Sequence, residues 1–189
     1  MPGTGVYPGA TFLPFLSAPS PSYVDGYPFR GVLHTTQSTG YTPSQTMYYG
    51  HTNPPHFTVA RLGANGRVFQ HYSINNGARA LENLAGGVET NRACAIQIEI
   101  AWKAENIGAL PAVIIAVLHD LMRWIEASKG VQRHAPPFFP ESQAAGSGSA
   151  SRMSAQTWRT FNGWCGHQHV PENVHWDPGP LNIAPLLAP

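Results

Sequence analysis

The sequence predicts an α/β (α+β) fold, in which helices flank a single mixed β-sheet. Three observations support this prediction. Short β-rich segments recur along the chain, two of them are joined by a tight-turn signal, and one amphipathic helix follows them. Strands that alternate with few helices favour a mixed sheet with helices packed on it. At 189 residues, the chain fits one domain with a core of ordinary size.

Three segments carry the strand pattern. GVLH, at 31–34, is typical of a short buried strand. Residues 57–72 predict a hairpin, because Asn65-Gly66 supplies the positive φ angles of a tight turn. In AIQIEIAW, at 95–102, isoleucines alternate with polar residues. Successive side chains of a strand point to opposite faces, so Glu99 is expected to point away from the row of isoleucines.

The strongest helical pattern runs from residue 111 to residue 129. Pro111 suits a first turn, Gly130 suits a stop, and the apolar side chains between them repeat with a helical period. The stripe consists of Ile114, Val117, Leu118, Leu121, Trp124 and Ile125. A second, shorter helix is predicted where Ser154 can cap a segment that continues through Trp158.

Composition divides the chain into three parts. Residues 1–28 are rich in proline, glycine, serine and aromatic residues, which predicts an extended arm that packs on the domain. The domain itself is expected at 29–180, followed by a tail at 181–189. Within the domain, residues 132–153 lack periodicity, and a loop of this length is unusual unless it is functional or mobile. We interpret it as a surface excursion and a candidate substrate flap.

Charge and hydropathy exclude several classes of partner. Charged residues make up 11% of the chain and the formal net charge is +1, so no strong field favours nucleic acid or an anionic membrane. The longest apolar run, at 112–118, is far shorter than the roughly 20 residues that span a bilayer. Prolines interrupt the apolar stretches before Arg30, the first basic residue, so no signal peptide is expected. We expect a soluble monomer.

The cysteines define one alternative function. Cys94 and Cys165 lack CxxC spacing and are too few for a disulfide scaffold, so we expect two free, buried thiols. Cys165 lies two residues before His167, and a cysteine near a histidine can serve as a nucleophile. A cysteine peptidase that uses Cys94 or Cys165 would require an electropositive, accessible thiol.

Histidine is abundant, with nine residues against eleven lysines and arginines. Imidazole is the commonest metal ligand and titrates near neutral pH, so metal chemistry is a leading hypothesis. Five of the histidines are expected to be surface residues or to be bonded within the fold, and these are His51, His56, His71, His119 and His134. His56 also begins a strand near the expected cleft and could line it.

A cluster of potential metal ligands lies near the C-terminus. The stretch GWCGHQHVPENVHWDPG, at 163–179, contains His167, His169, His175 and Asp177. A catalytic zinc typically takes three protein ligands of these types and leaves a fourth position for water. His167 and His169 could chelate a metal alone, because an HxH pair on a strand places both rings on one side. The residues of this stretch leave the choice of ligands open.

Four segments together carry a family resemblance. They are VLHTT (32–36), HFTVARLGANGRVFQ (56–70), AIQIEI (95–100) and GHQHVPENVHWDPG (166–179). This combination resembles the zinc-dependent N-acetylmuramoyl-L-alanine amidases of the amidase-2 family, which share a fold with peptidoglycan recognition proteins. The resemblance covers about residues 29–180, and the wording around the motifs is most similar to amidase modules of endolysins from phages of actinobacteria.

The resemblance implies a set of site residues. Position by position, His34, His167 and Asp177 match the three zinc ligands of the family, so the implied cofactor is Zn²⁺. Glu99 matches the acidic residue across the cleft, which accepts the proton of the attacking water and passes it to the leaving amine. His169 matches no ligand and is expected to orient the neighbouring loop or a ligand.

Two positions depart from the family pattern. His175 stands where many members carry a lysine whose ammonium stabilises the negative oxygen at the attacked carbonyl. A histidine can donate the same hydrogen bond, and as a cation it would supply charge as well. Pro55 precedes His56 where some relatives place a catalytic tyrosine, so Glu99 is expected to take over the acid/base role.

The activity that the resemblance implies is cleavage of the amide between N-acetylmuramic acid and L-alanine, with bacterial peptidoglycan as the partner. It also implies a lysis enzyme that is made in the host cytoplasm and acts on the cell wall. A recognition protein of the same fold, which binds muropeptides without cutting them, is the second hypothesis. The complete set of three ligands and Glu99 argues against it, because pure binders of this fold tend to lose a ligand. A cell-wall cysteine peptidase that uses Cys94 or Cys165 is the third hypothesis.

Overall fold

The computed structural model describes residues 4–15, 19–39, 53–142 and 151–189. Within these ranges, one six-stranded sheet has the order β1-β4-β3-β5-β2-β6. β3 and β4 are antiparallel, and every other neighbouring pair is parallel. The strands are β1 (Ala10–Phe12), β2 (Arg30–Thr35), β3 (Phe57–Leu62), β4 (Asn65–Gln70), β5 (Ala95–Ile100) and β6 (Trp164–Gly166). A single mixed sheet with flanking helices confirms the predicted fold class.

Three α-helices accompany the sheet in the described residues: α1 (Ala112–Lys129), α2 (Ala155–Thr160) and α3 (Ala184–Leu187). Single 3₁₀ segments occur at Ala104–Ala109 and His167–His169. α1 ends at Gly130, which takes the left-handed conformation with a φ of 69°. α2 begins after Ser154, whose side chain accepts a hydrogen bond from the Thr157 N–H. None of the helices in these ranges is both long enough and apolar enough to cross a membrane.

The main core lies between α1 and one face of the sheet. The three isoleucines of β5 are fully buried there, together with the inner stripe of α1. They are Ile96, Ile98, Ile100, Ile114, Leu118, Leu121, Met122 and Ile125. Burial of each such side chain contributes about 1.5–3 kcal/mol relative to an exposed one. Because this face is filled by hydrocarbon, the opposite face of β5 is the one that presents Gln97 and Glu99.

β3 and β4 form the predicted hairpin, but its turn lies two residues earlier than the sequence predicts. Gly63 and Ala64 make the turn, whereas Asn65 and Gly66 belong to β4. Gly63 has a φ of 60°, the positive value that the first position of a type II′ turn requires. Gly66 is needed for helix packing, because a Cβ there would lie 2.2 Å from the Val113 carbonyl oxygen of α1. The predicted Asn65-Gly66 turn is therefore wrong.

β6 is held beside β2 by close packing at two positions. Gly31 lies opposite Trp164, and a Cβ on Gly31 would come within 2.1 Å of the Trp164 ring. The Trp164 Nε1–H donates to Glu126 of α1 at 2.9 Å. Arg30 is fully buried, and its guanidinium lies 4.4 Å from the Trp158 ring of α2 and donates to the Trp158 carbonyl. These contacts determine where the chain leaves β6, one residue before His167.

Both ends of the described chain pack on the domain. β1 lies within the predicted arm at 1–28 and adds a parallel edge strand to β4. The Gln70 side chain supports this strand, because it accepts from the Tyr7 N–H at 2.7 Å and donates to the Gly5 carbonyl at 2.8 Å. α3 lies within the predicted tail at 181–189 and packs on α1. Part of the predicted excursion at 132–153 lies outside the described residues.

Two buried histidines belong to the framework. The Nδ1 of His56 accepts from the Gln97 N–H at 3.0 Å, so its Nε2–H donates to the Asn76 carbonyl at 2.8 Å. His71 contacts the Leu13 carbonyl through Nδ1 at 3.1 Å. Burial lowers the pKa of both His56 and His71 to about 4. His119 is partly exposed and His134 is exposed, whereas His51 lies outside the described residues.

The stability of the metal-free protein should fall as the pH drops from about 6.5 to about 4. In this window, the unfolded chain protonates both imidazoles, whereas the folded protein keeps His56 and His71 neutral. Each histidine should contribute about 3 kcal/mol of pH-dependent stability, which is fully present above pH 6.5 and is lost as the pH falls through this window. Urea denaturation of His71→Gln between pH 4 and 7 should give a shallower pH slope. His134→Gln is the matched control, and an unchanged slope in His71→Gln would contradict this assignment.

Candidate active site

The site lies at one edge of the sheet, where three parallel strands end together. β2 pairs with β5 on one side and with β6 on the other, both in parallel. His34 and Glu99 are register partners near the ends of β2 and β5. His167 follows β6 directly. Because the carboxyl ends of parallel strands meet at the same edge, side chains that are far apart in sequence converge here.

His34, His167 and Asp177 form a compact, buried group. One ligand atom from each lies within 4.8 Å of the others. The two Nδ1 atoms of the histidines are 3.0 Å apart. Asp177 Oδ2 is 3.7 Å from His34 Nδ1, and Asp177 Oδ1 is 3.3 Å from His167 Nδ1. Each residue is at most 5% exposed. The structure therefore brings together the three residues that match the zinc ligands of the resembling family.

Backbone contacts hold Asp177 in this group. Its Oδ2 accepts a hydrogen bond from the Thr35 N–H at 3.0 Å, just beyond His34. Its carbonyl accepts from the Gln168 N–H at 3.0 Å, which ties the DPG segment to the residues that follow β6. Gly166 allows this approach, because a Cβ there would lie 2.5 Å from Pro178 Cδ. The glycine before His167 therefore has a packing function of its own.

The protonation states of this group suit metal binding. Burial, together with the neighbouring His167, lowers the pKa of His34 to about 3, so His34 is neutral at physiological pH. Burial acts to raise the pKa of Asp177, but its contacts with His167, His34 and the Thr35 N–H hold that pKa well below its usual value. Neutral imidazole and ionised carboxylate are the forms that bind metals. His34 and Asp177 thus offer ligand atoms without first losing protons.

Glu99 faces the same groove as the histidine–aspartate group. Its Oε2 is buried and has no hydrogen-bond partner among the described residues. Burial raises the pKa of Glu99 well above its usual value, and the Asp177 carboxylate raises it further. A carboxyl group in this setting exchanges protons more readily near neutral pH than an exposed glutamate does.

His175 lies at the rim of the groove. Its ring stacks on the His167 ring, with the centroids 4.8 Å apart and the planes 10° apart. Its side chain is 64% exposed, and Nδ1 is 3.9 Å from Asp177 Oδ1. Desolvation and the neighbouring His167 lower the pKa of His175, so the neutral ring is favoured at neutral pH. At neutral pH, His175 can therefore donate a hydrogen bond, but it does not carry the positive charge that a lysine would carry.

His169 does not join the group, although it lies two residues from His167. Its Nδ1 accepts from the Gly166 N–H at 3.0 Å, and its Nε2 lies 2.7 Å from the Phe138 carbonyl oxygen. The segment is a 3₁₀ turn, so the two rings do not share one side as they would on a strand. The local HxH chelate is therefore wrong, and His169 instead connects the start of the turn to the loop that contains Phe138.

The sequence predicts no role for two polar residues near the site, Asn173 and Arg152. The Asn173 Oδ1 lies 2.9 Å from His167 Nε2. Arg152 donates to the carbonyls of Val170 at 3.0 Å and His175 at 2.7 Å, so its guanidinium braces the loop that follows β6. These partners are defined by chain folding and not by spacing, which is why the sequence does not identify them.

The groove has a volume of about 430 Å³. Five of its lining residues are the predicted site residues His34, Glu99, His167, His175 and Asp177. The others are polar or small, and they are Thr35, Thr36, Gln37, Asn53 and Ala80. His56, which the sequence allows at the cleft, is absent from this lining and is buried beneath the sheet edge. A groove of this size, lined by several polar side chains, suits a substrate that forms hydrogen bonds.

Both cysteines are free and buried, as predicted. Cys165 is 0% exposed in β6, and burial raises its pKa to about 12. Cys94 is 6% exposed, and burial raises its pKa as well. Neither thiol lines the groove. A nucleophilic cysteine requires a lowered pKa and access to substrate, and these two thiols have the opposite properties.

The sequence matches no family model, and no curated protein matches it. Solved structures nevertheless share its fold, and the class they represent is that of the N-acetylmuramoyl-L-alanine amidases.

The structure of a selenomethionine AmpD derivative superposes with a TM-score of 0.58 at 15% identity, over 100% of this chain and 99% of that one. The N-acetylmuramoyl-L-alanine amidase LysC from Clostridium intestinale URNW gives a TM-score of 0.52 at 15% identity, over 95% of each chain. The endolysin N-acetylmuramoyl-L-alanine amidase LysCS from the same organism also gives 0.52 at 15% identity, over 97% of this chain and 95% of that one. The likeness shows a shared fold.

Cys165 should resist alkylation in the native protein. In a Cys94→Ala variant, which leaves Cys165 as the single thiol, iodoacetamide at pH 8 should give almost no adduct, because the thiol is buried and protonated. Labelling should become complete after unfolding in guanidinium, and intact-protein mass spectrometry measures both states. Equal labelling rates in the native and unfolded protein would mean that Cys165 is accessible.

Proposed function

We propose that this chain is a zinc-dependent hydrolase that cleaves the amide between the lactyl group of N-acetylmuramic acid and L-alanine in peptidoglycan. One observation carries the proposal: His34, His167 and Asp177 converge within 4.8 Å in a groove that also contains Glu99. These residues match the amidase-2 pattern in the sequence. The proposal is further supported by a fold shared with chains named as N-acetylmuramoyl-L-alanine amidases.

The donor set fits a catalytic zinc ion. Two imidazole nitrogens and one carboxylate give three protein ligands, which is the number that leaves a position for water. Nitrogen donors favour zinc over Mg²⁺ and Ca²⁺, which prefer all-oxygen sites. When bound, such an ion supplies a Lewis acid that polarises the amide carbonyl and lowers the pKa of water. His34, His167 and Asp177 are the residues that would hold it.

Glu99 is the proposed acid/base residue. Its Oε2 is free to accept a proton from the attacking water, because it has no hydrogen-bond partner among the described residues. The same carboxyl group then donates that proton to the departing alanine amine. A raised pKa favours this second step, since the protonated acid is more accessible near neutral pH.

His175 is the proposed donor to the negative oxygen that develops at the attacked carbonyl. Its exposed ring lies at the rim of the groove beside His167. In the neutral form, it contributes one N–H, which stabilises a developing charge less than an ammonium group does. The catalytic contribution of this position should therefore be smaller than that of a lysine.

The biological setting that we propose is cell lysis by a phage of actinobacteria. In this setting, the chain is a monomeric endolysin catalytic domain that is made in the host cytoplasm and acts on the wall after release. The support is the sequence resemblance to endolysin amidase modules and a fold shared with an endolysin amidase. A muropeptide-binding protein without catalysis is the alternative that the digestion experiment distinguishes.

Purified peptidoglycan digested with the protein should release stem peptides with a free N-terminal alanine. Chelator treatment should abolish the release, and zinc should restore it, because the three ligands would hold the ion. Glu99→Gln keeps the size of the side chain but removes its basicity, so it should lower kcat by at least 100-fold. Mass spectrometry of the fragments measures the products.

Glu105→Gln, a substitution on the exposed surface of the 3₁₀ segment after β5, is the matched control and should retain full activity. Two outcomes would contradict the proposal. If the glycan–peptide linkages stay intact while the protein binds peptidoglycan, the chain is a binder. If chelation leaves the release unchanged, the reaction does not depend on a metal.

His175→Ala should lower kcat by about 10-fold with little change in KM, because the side chain acts on the charge that forms during reaction. His175→Lys should equal or exceed the wild type, because an ammonium group supplies both the donor and a positive charge. Steady-state assays on soluble peptidoglycan fragments measure both constants, with His119→Ala on α1 as the control. Equal activity of His175→Ala and the wild type would exclude this role.

A further inference from the structure

Asn173 contacts His167 of the candidate metal group, and the proposed mechanism gives this contact no role. It is 2% exposed and lies in the loop between β6 and Asp177. Its Oδ1 is 2.9 Å from His167 Nε2, on the side of the ring opposite to the nitrogen that faces His34. A buried amide in this position can determine which ring nitrogen carries the proton.

The orientation of the Asn173 amide follows from its other partners. Its Nδ2 donates to two carbonyl oxygens, those of Glu82 at 3.1 Å and Pro171 at 2.9 Å. Its Oδ1 accepts from the Glu82 N–H at 2.8 Å. A flipped amide would direct its oxygen at two carbonyl oxygens and its NH₂ at an N–H donor. The atom that faces His167 is therefore the oxygen.

An oxygen at this position requires a proton on His167 Nε2, because the Asn173 Oδ1 can only accept. In the neutral imidazole, the lone pair then lies on Nδ1, which faces His34 and Asp177. His34 has no corresponding contact, since its Nε2 lacks a partner among the described residues. Of these two rings, His167 is thus the one whose Nε2 is fixed by a hydrogen bond to a neighbouring side chain.

From this geometry, we infer that Asn173 is a positioning residue that holds His167 in the Nε2–H tautomer and so prepares its Nδ1 to bind a metal. The inference rests on the metal site of the proposed function and is independent of the bond that is cut. It also connects the metal group to the loop that contains Glu82, because one amide contacts both. The neighbouring Glu172 makes a further contact between these two loops, because its Oε2 accepts a hydrogen bond from the Val88 N–H at 2.7 Å.

Asn91 offers a matched control for the loop contact. Its Oδ1 accepts from the Leu81 N–H at 3.0 Å, and its Nδ2 donates to the Leu81 carbonyl at 2.6 Å. Asn91 therefore clamps the backbone one residue before Glu82, in the same way as Asn173, but its hydrogen bonds among the described residues do not include His167. Asn91→Ala should loosen the loop and leave the His167 tautomer unchanged.

The first measurement is long-range ¹H–¹⁵N NMR of the imidazole rings in the metal-free protein. The wild type and Asn91→Ala should show His167 as the Nε2–H tautomer, whereas Asn173→Ala should show a mixture. His167→Gln assigns the signal by its loss. An Nδ1–H tautomer in the wild type would overturn the inference without any Asn173 variant, so the test does not depend on whether Asn173→Ala folds.

The second measurement is zinc affinity by competition with a chromogenic chelator. Asn173→Ala should bind zinc about 10–100-fold more weakly than the wild type, and Asn91→Ala should stay within about 3-fold of it. Asn173→Asp keeps an acceptor for His167 Nε2–H but loses both donors to the carbonyls, so it should be no more stable in urea than Asn173→Ala. It should nevertheless bind zinc more tightly than Asn173→Ala.

A purely structural role predicts a different pattern. In that case, zinc affinity would follow stability, so Asn173→Asp would bind no better than Asn173→Ala, and Asn91→Ala would lose as much affinity as Asn173→Ala. Either result would overturn the inference. If the wild type binds zinc with the Nε2–H tautomer but leaves peptidoglycan intact, the proposed hydrolysis fails and the role of Asn173 stands.

Discussion

The parallel pairing of β2 with both β5 and β6 is the constraint on which the candidate site depends. It places the ends of three strands at one edge of the sheet, so that His34, Glu99 and His167 meet there without long connecting segments. An antiparallel β6 would release His167 at the opposite edge. The pairing is secured by the contact of Gly31 with Trp164 and by the buried Arg30, which lies beneath Trp158.

Burial of the histidine–aspartate group is unfavourable, and contacts within the site offset part of this unfavourable free energy. A buried carboxylate without partners is strongly unfavourable, and here the Thr35 N–H and two imidazoles surround Asp177. His34 is neutral and buried, and its Nε2 has no partner among the described residues. Two nitrogens and one carboxylate that converge in a buried site form an arrangement that a cation would stabilise. Glu99, which shares the groove, has a raised pKa chiefly because it is buried, and the Asp177 carboxylate raises the pKa further.

Gly166 and the packing of the loop after β6 determine how Asp177 is brought to the two histidines. Gly166 permits Pro178 to approach β6, which brings Asp177 to His167. Arg152 and Asn173 then hold the intervening loop from two sides, one through backbone carbonyls and the other through Glu82 and the His167 ring. Arg152 and Asn173 also have an electrostatic effect. They orient ring nitrogens and carbonyl groups around the buried carboxylate of Asp177. The geometry of the candidate site therefore depends on both the loop and the sheet.

The sequence by itself determined the elements that depend on local patterns. Alternating isoleucines marked β5 and the outward face that presents Glu99, and an apolar stripe with Gly130 marked α1. The segments that resemble the amidase-2 family pointed to His34, His167 and Asp177, and the structure brings these three residues together.

Only the tertiary structure decided the remaining features, because each depends on what another segment places nearby. The sequence predicted Gly66 as part of a turn, whereas in the structure it lies in β4, where α1 packs on it. β1 forms a strand by pairing with the edge of β4. His169 was excluded as a ligand by the direction of a 3₁₀ turn, and Asn173 gained a role because folding places its amide against His167. Such contacts join residues of distant segments and depend on side-chain orientation, and neither is encoded in a local periodicity.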